Sequence, residues 1–285
     1  MGILLALTAL FSWGLGDFLI EKSARKFGDW VALFYITAFA SIVLFPFVYK
    51  DIVHSLNAHG ILLLMASFII LCAGLLDFEA LRVGKISVIE PILALEIPVA
   101  AFLAAYVIHE KLTVAQIIFI GIIVVGIFLI STTSFRSLKN LHAEKGVWQA
   151  FFATIGMGVV NFLFGVGSRE TSPLMINWFT SAFIAVVALV YLAFNSRLHE
   201  LIDNFESKKI LIFNVSFFDN LAWITFSYAM LFIPIAVATG ISEGYIAFAG
   251  ALGLVFNKEK LRRHQWVGFF FVVIAVMLLA FITDR

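Results

Sequence analysis

His109-Glu110-Lys111-Leu112, followed by Gln116 and an apolar run, returns 149 residues later as Lys258-Glu259-Lys260-Leu261, followed by Gln265 and another apolar run. The same offset lays Ala80-Leu81 over Ala229-Met230, Ile86 over Ile235 and Val88 over Val237 without a gap. Nearer the start, an offset of 144 pairs Gly14, Asp17-Phe18-Leu19 and Arg25 with Gly158, Asn161-Phe162-Leu163 and Arg169. The chain is therefore a duplicated unit, and a repeat of this kind decides the architecture before any single motif does. The copies run over 1–134 and 147–285, with 135–146 as the joint between them.

Composition says what solvent the repeat is written for. Apolar residues make up 62% of the chain and charged residues 13%, with a mean hydropathy of +1.06. Soluble domains run at roughly half apolar and a quarter charged, so the expected partner is a lipid bilayer. A net charge of +1 gives no electrostatic case for nucleic acid. The single cysteine, Cys72, excludes an intramolecular disulfide. The start, Met1-Gly2-Ile3-Leu4-Leu5, lacks a basic segment and its apolar run continues to Ile20, which predicts a first span rather than a cleaved signal peptide.

A hydrocarbon core of about 30 Å needs roughly 20 apolar helical residues. Such segments fall near 2–21, 30–49, 58–82, 85–108, 113–132, 147–169, 174–195, 209–231, 234–256 and 264–282, five in each copy. The prediction is an all-α polytopic membrane protein of ten transmembrane helices, with no soluble domain between them. Of the 19 Lys and Arg residues, 15 lie in the odd-numbered joints and 4 in the even-numbered joints and the C-terminus. The positive-inside rule then puts the odd joints in the cytoplasm and both termini outside, in a multi-pass protein of the plasma membrane. Equivalent joints of the two copies carry opposite bias: 3 basic residues against 1, 1 against 3, 2 against 0, and 1 against 4. A unit with an odd number of spans must sit upside down relative to its copy, so these are inverted repeats.

Three features give the chain a family likeness: Trp13-Gly14 in the first span, Phe78-Glu79-Ala80-Leu81-Arg82 with its counterpart Ser227-Tyr228-Ala229-Met230, and the Glu-Lys-Leu hinge with Gln116 and Gln265 after it. In these the chain resembles the drug/metabolite transporter superfamily in its ten-helix, EamA-type form, over essentially its whole length. Glu79 replaces the usual aromatic residue, and the family's Glu-Pro in the fourth span stands here as Glu96-Ile97-Pro98. The resemblance implies a secondary transporter with a central cavity between the halves, usually an exporter of small metabolites or toxic compounds. Members also commonly place both termini in the cytoplasm, opposite to the charge count.

Seven carboxylates lie within the expected spans: Asp17, Asp77, Glu79, Glu90, Glu96, Asp219 and Glu243. Each costs at least about 2.5 kcal/mol at bilayer depth unless it finds a partner, a proton or water. Glu96, Asp219 and Glu243 fall at mid-span with no Lys or Arg at that depth. Transporter sites lie near the midplane between repeats, so Glu96 and Glu243 are expected to face one another across the pseudo-twofold axis. The alternative is a pair of neutral side chains tied to neighbouring helices. Ser216, Asp219, Asn220, Trp223 and Ser227 recur at helical spacing as a polar stripe, either lining the site or forming an interhelical seam. Trp13, Asp17 and Asn161 (the counterpart of Asp17) complete the substrate or proton candidates. Asp77, Glu79 and Glu90 are candidate gate or relay residues, although Glu79 and Glu21 also have helical ion-pair spacing to Arg82 and Arg25.

No phosphate loop and no histidine pair at metal-ligand spacing occurs, so no cofactor, metal or catalytic residue is expected. The leading reading is alternating access for a small cationic, zwitterionic or neutral cargo, with protons as the candidate coupling ion. Two alternatives stand beside it: a lipid-modifying membrane enzyme using interfacial Asp17, Asp77, Glu79 and His109, and a non-transporting assembly partner.

Overall fold

Ten helices of eight or more residues lie among the described residues: α1 (Gly2–Phe27), α2 (Asp29–Val48), α3 (Ile52–Val83), α4 (Glu96–Val107), α5 (Val114–Ser131), α6 (Val147–Glu170), α7 (Pro173–Phe194), α8 (His199–Ala229), α9 (Ile235–Ser242) and α10 (Arg263–Thr283). The structure is a computed structural model that describes residues 1–83, 89, 92–132, 145–249 and 261–283, without the side chains of 17–27, 78, 81 and 82. No strand occurs among the described residues. Seven of the helices are long and apolar enough to cross a membrane, and shorter apolar helices lie at Gly2–Gly16, Glu96–Val107 and Ile235–Ala249. Large apolar side chains point outward as well as inward; Phe102, Ile118, Phe270 and Met277 are all more than half exposed. Helices that are apolar all round belong in a bilayer, and the chain is an integral multi-pass membrane protein.

The repeat is visible in how the helices pair. The most extensive contacts are α1 with α8, α3 with α6, α2 with α7, and α5 with α10. Each of these pairs joins one copy to the other. Under exchange of the copies, α1–α8 becomes α6–α3, while α2–α7 and α5–α10 map onto themselves. The sequence copies are thus not two separate bodies; their helices interdigitate around one core.

The repeated hinge glutamines make this symmetry chemical. Gln116 accepts from the Thr113 amide at 2.9 Å while the Thr113 hydroxyl accepts from the Gln116 amide, a reciprocal cap on α5. Its own Nε2 donates to Thr283 at the far end of α10. Gln265 repeats the arrangement, accepting from the Arg262 amide and donating to the Ile130 carbonyl at the end of α5. Between these ties Gly126 and Gly268 meet, each leaving room for the other's backbone: a Cβ on Gly268 would come within 2.6 Å of the Gly126 carbonyl oxygen.

Two expectations about the elements change. Spans 3 and 8 are longer than hydropathy suggests, because α3 and α8 each carry a preceding helical segment joined by a kink, at His59 and Lys208. These residues sit 149 apart and are repeat equivalents. The segment at 199–207, expected as part of a loop, is therefore helical; Leu201 packs with Tyr35 of α2, whose hydroxyl donates to the Leu201 carbonyl. Spans 4 and 9 are interrupted instead of continuous. Helical backbone gives way to turns at 94–95 and at 243–244, again positions 149 apart.

Candidate functional site

The interruptions place the acids. In the first, Leu95 N–H bonds to the Ile92 carbonyl, an i→i−3 contact, before α4 restarts at Glu96. Pro98 stands in the first turn of α4, where a missing N–H leaves no helical bond unmade; one turn deeper it would break the ladder. In the second, Gly244 bonds back to Ile241 and Ile246 to Glu243 in the same tightened pattern, and helix resumes over 245–249. Short tightened stretches inside membrane helices are where backbone changes direction and where hinges form. Glu96 and Glu243 are thus not in the middle of regular helices, as expected, but at the two breaks, and the breaks are symmetry mates.

There the two carboxyls meet, Glu96 hydrogen bonding to Glu243. Glu243 is 6% exposed and Glu96 half-buried. An ionised carboxylate only accepts hydrogen bonds, so two carboxyls can bond to one another only if they share a proton. The backbone of α6 supports the pair from behind: a Cβ on Gly158 would fall 2.9 Å from the Glu96 carbonyl oxygen and 2.5 Å from Val99 Cβ.

An aromatic cluster reaches to within two residues of Glu243 along the chain. Trp13 of α1 meets Trp223 of α8 edge-on at 5.2 Å between centroids, and lies 5.3 Å from Phe226 and 6.2 Å from Tyr245, two residues beyond Glu243. Phe164 of α6 closes on Trp223 at 4.7 Å. Trp13 is buried, Trp223 half-buried. Four helices from both copies supply this cluster.

The polar stripe on α8 divides. Asn220 donates to the Ile36 carbonyl of α2 at 3.0 Å and to Ser216 of its own helix at 2.8 Å. Ser227 receives the Asn177 amide of α7 at 2.7 Å. These two residues are the seam between helices. Asp219, half-buried, has α1 against its backbone through Gly16. Asn161 is buried on α6, one turn from Gly158 and Phe164. The side chains of Asp17, Glu21, Arg25 and Arg82, and all of Glu90, lie outside the described residues. Asp77 and Glu79 are half-buried near the end of α3, at the odd-joint end of the molecule, whereas His109 stands at the even-joint end. They do not share one interface.

Residues that served only as repeat markers make the other polar cluster. Glu110 and Arg169 form an ion pair at 2.9 Å. Arg169 Nε donates to the Met230 carbonyl at 2.8 Å, and the second Glu110 oxygen accepts the Ile235 amide at 2.7 Å. Tyr245, Phe164 and Phe226 were equally hidden, because a ring in an apolar run carries no sign of what it faces.

A model of the EamA-like transporter family matches residues 1–132 and again 144–281. The chain belongs to the EamA-like transporter family. Membership makes it a membrane transporter of the drug/metabolite type. The family model thus matches twice, once on each side of 133–143. An uncharacterized protein of Haemophilus influenzae is 25% identical over 228 residues, covering 78% of this chain and 73% of that protein. A protein crystal structure superimposes over 100% of this chain and 98% of its own with a TM-score of 0.77 at 12% identity, a likeness of fold.

Proposed function

We propose that this protein is a proton-coupled secondary transporter, an exporter of small cationic, zwitterionic or neutral compounds, in which the Glu96–Glu243 pair alternately holds a proton and cargo. The contact between those carboxyls at two symmetry-related helix breaks carries the reading. Unwound backbone at a midplane break is where transporters of inverted-repeat design hold ions and substrate. A cation that displaces the shared proton finds two carboxylates for it and ring faces at Trp13, Trp223 and Tyr245 nearby, an arrangement that favours positive charge. Exchange of proton for cation is antiport. The basic-residue count puts both termini outside, in the plasma membrane.

The test is transport in proteoliposomes under an imposed pH gradient, using cargo found by untargeted metabolite profiling of cells with and without the protein. Wild type should move cargo against a proton flow read by an internal pH dye. Glu96→Gln and Glu243→Gln should each abolish the coupled proton flux. If gradient-driven transport survives both substitutions, the proton role is wrong.

A further inference from the structure

From the packing and the Glu110–Arg169 cluster we infer that the moving parts are two mixed groups of helices, α3–α4–α6 and α1–α8–α9, and that Glu110 and Arg169 form the latch that closes them at one membrane face. The inference rests on the alternating-access reading for its purpose, but its geometry stands apart from cargo and protons.

The grouping follows from which helices hold one another. α6 packs against α3 and α4, and its symmetry mate α1 packs against α8 and α9. Neither group is one sequence copy, since each takes helices from both. Between them α4 meets α9, with Glu96 on one side and Glu243 on the other. Opening one face while closing the other amounts to tilting the groups about this contact.

The latch is at one end of that contact. Arg169 ends α6, and Glu110 stands just beyond α4; both belong to the first group. Their targets are the Met230 carbonyl, which caps α8, and the Ile235 amide, which opens α9; both belong to the second. One ion pair thus holds the α8–α9 turn by a carbonyl and an amide together. Glu110 is 11% and Arg169 33% exposed in their side chains, so the pair is sheltered from full solvent screening. The chain accepts backbone strain to build it: His109, directly before Glu110, takes a left-handed φ of 55°, uncommon for a residue with a Cβ. A contact needed only for packing could be made by Leu or Met.

The repeat carries the same two residue types in its other copy. Arg25 and Glu259 occupy the sequence positions that match Arg169 and Glu110, and the Arg25 side chain and all of Glu259 lie outside the described residues.

Ser168 supplies the reporter. It sits beside Arg169 and is 2% exposed, and its hydroxyl has no hydrogen-bond partner among the described residues. In a Cys72→Ala background, Ser168→Cys should react slowly with a water-soluble maleimide in nanodiscs. Adding Glu110→Gln should speed labelling about fivefold or more, the low end of what a switch between states yields. Glu259→Gln in the same background should leave the rate at or below its starting value. An unchanged rate in the Glu110 variant, with its elution profile and melting temperature retained, overturns the latch. Equal acceleration by both glutamines also overturns it, because that outcome means general loosening. The readout needs neither cargo nor gradient, so its failure and that of the proton-coupled reading are separable.

Discussion

Asn220 and Asp219 are neighbours on one helix, and only the structure separates them. Spacing puts both on the inward stripe of α8, but what Asn220 does depends on the Ile36 carbonyl, 184 residues away in sequence. Nothing in the local pattern encodes that. Asn220→Ala should therefore lower the melting temperature in detergent, at a cost of about 0.6–2 kcal/mol for an interhelical hydrogen bond in a membrane protein, while leaving cargo affinity unchanged. A large loss of affinity with an unchanged melt would instead place Asn220 at the cargo. Gly158 is a sharper case. Any Cβ there meets Val99 and the Glu96 carbonyl, so Gly158→Ala must push α4 off α6. The expected penalty is about 1–3 kcal/mol for overpacking, and coupled transport should fall further than stability does, because Glu96 moves with α4. Equal losses in melt and transport would deny it a positioning role.

At the level of elements, hydropathy locates all ten spans and misses how four of them are shaped. A hydrophobic run looks the same whether its helix is continuous or broken, since both pieces stay in the bilayer. Spans 4 and 9 betray their breaks only through Pro98 and Gly244, residues that spans also use for packing. Of the kinks at His59 and Lys208 only the first has a glycine beside it, Gly60, yet they too are repeat equivalents. Symmetry carries what hydropathy does not: the breaks and the kinks in one copy each recur 149 residues away in the other. For α4 the cause of the break can be tested, because Pro98 cannot donate a hydrogen bond back to the residue at the turn. Pro98→Ala should let helix run through 92–99 and slow amide exchange in a peptide covering those residues. Transport should drop, as the Glu96 carboxyl swings away from Glu243 with the restored helical twist. Exchange that stays as fast as in wild type would mean that the turn is set by packing from α6 and α9 and not by the proline.

Over the whole molecule, duplication was legible in the hinge, and inversion was legible in the charge bias. The division of labour between the copies was not. A sequence halved at its joint suggests two five-helix bodies rocking on each other, whereas the main helix pairs all cross from one copy to the other. The physical reason is burial: each copy alone leaves its inward faces without partners. The α5 face at Gly126 fits only α10, and Ile123 and Ile127 are fully buried in the shared core. In lipid, lost packing is not replaced by a hydrophobic drive between helices, so close backbone approach and hydrogen bonds must hold the bundle. Splitting the gene in the 135–146 joint tests this directly. Residues 1–134 and 147–285 expressed separately should accumulate poorly and aggregate on extraction. Expressed together, a tag on the first should purify both in equal amounts, with the melting temperature close to that of the intact chain, since the main helix pairs cross from one copy to the other. A first half that accumulates alone as a folded monomer would show each copy to be self-sufficient, and would return the moving bodies to the sequence halves.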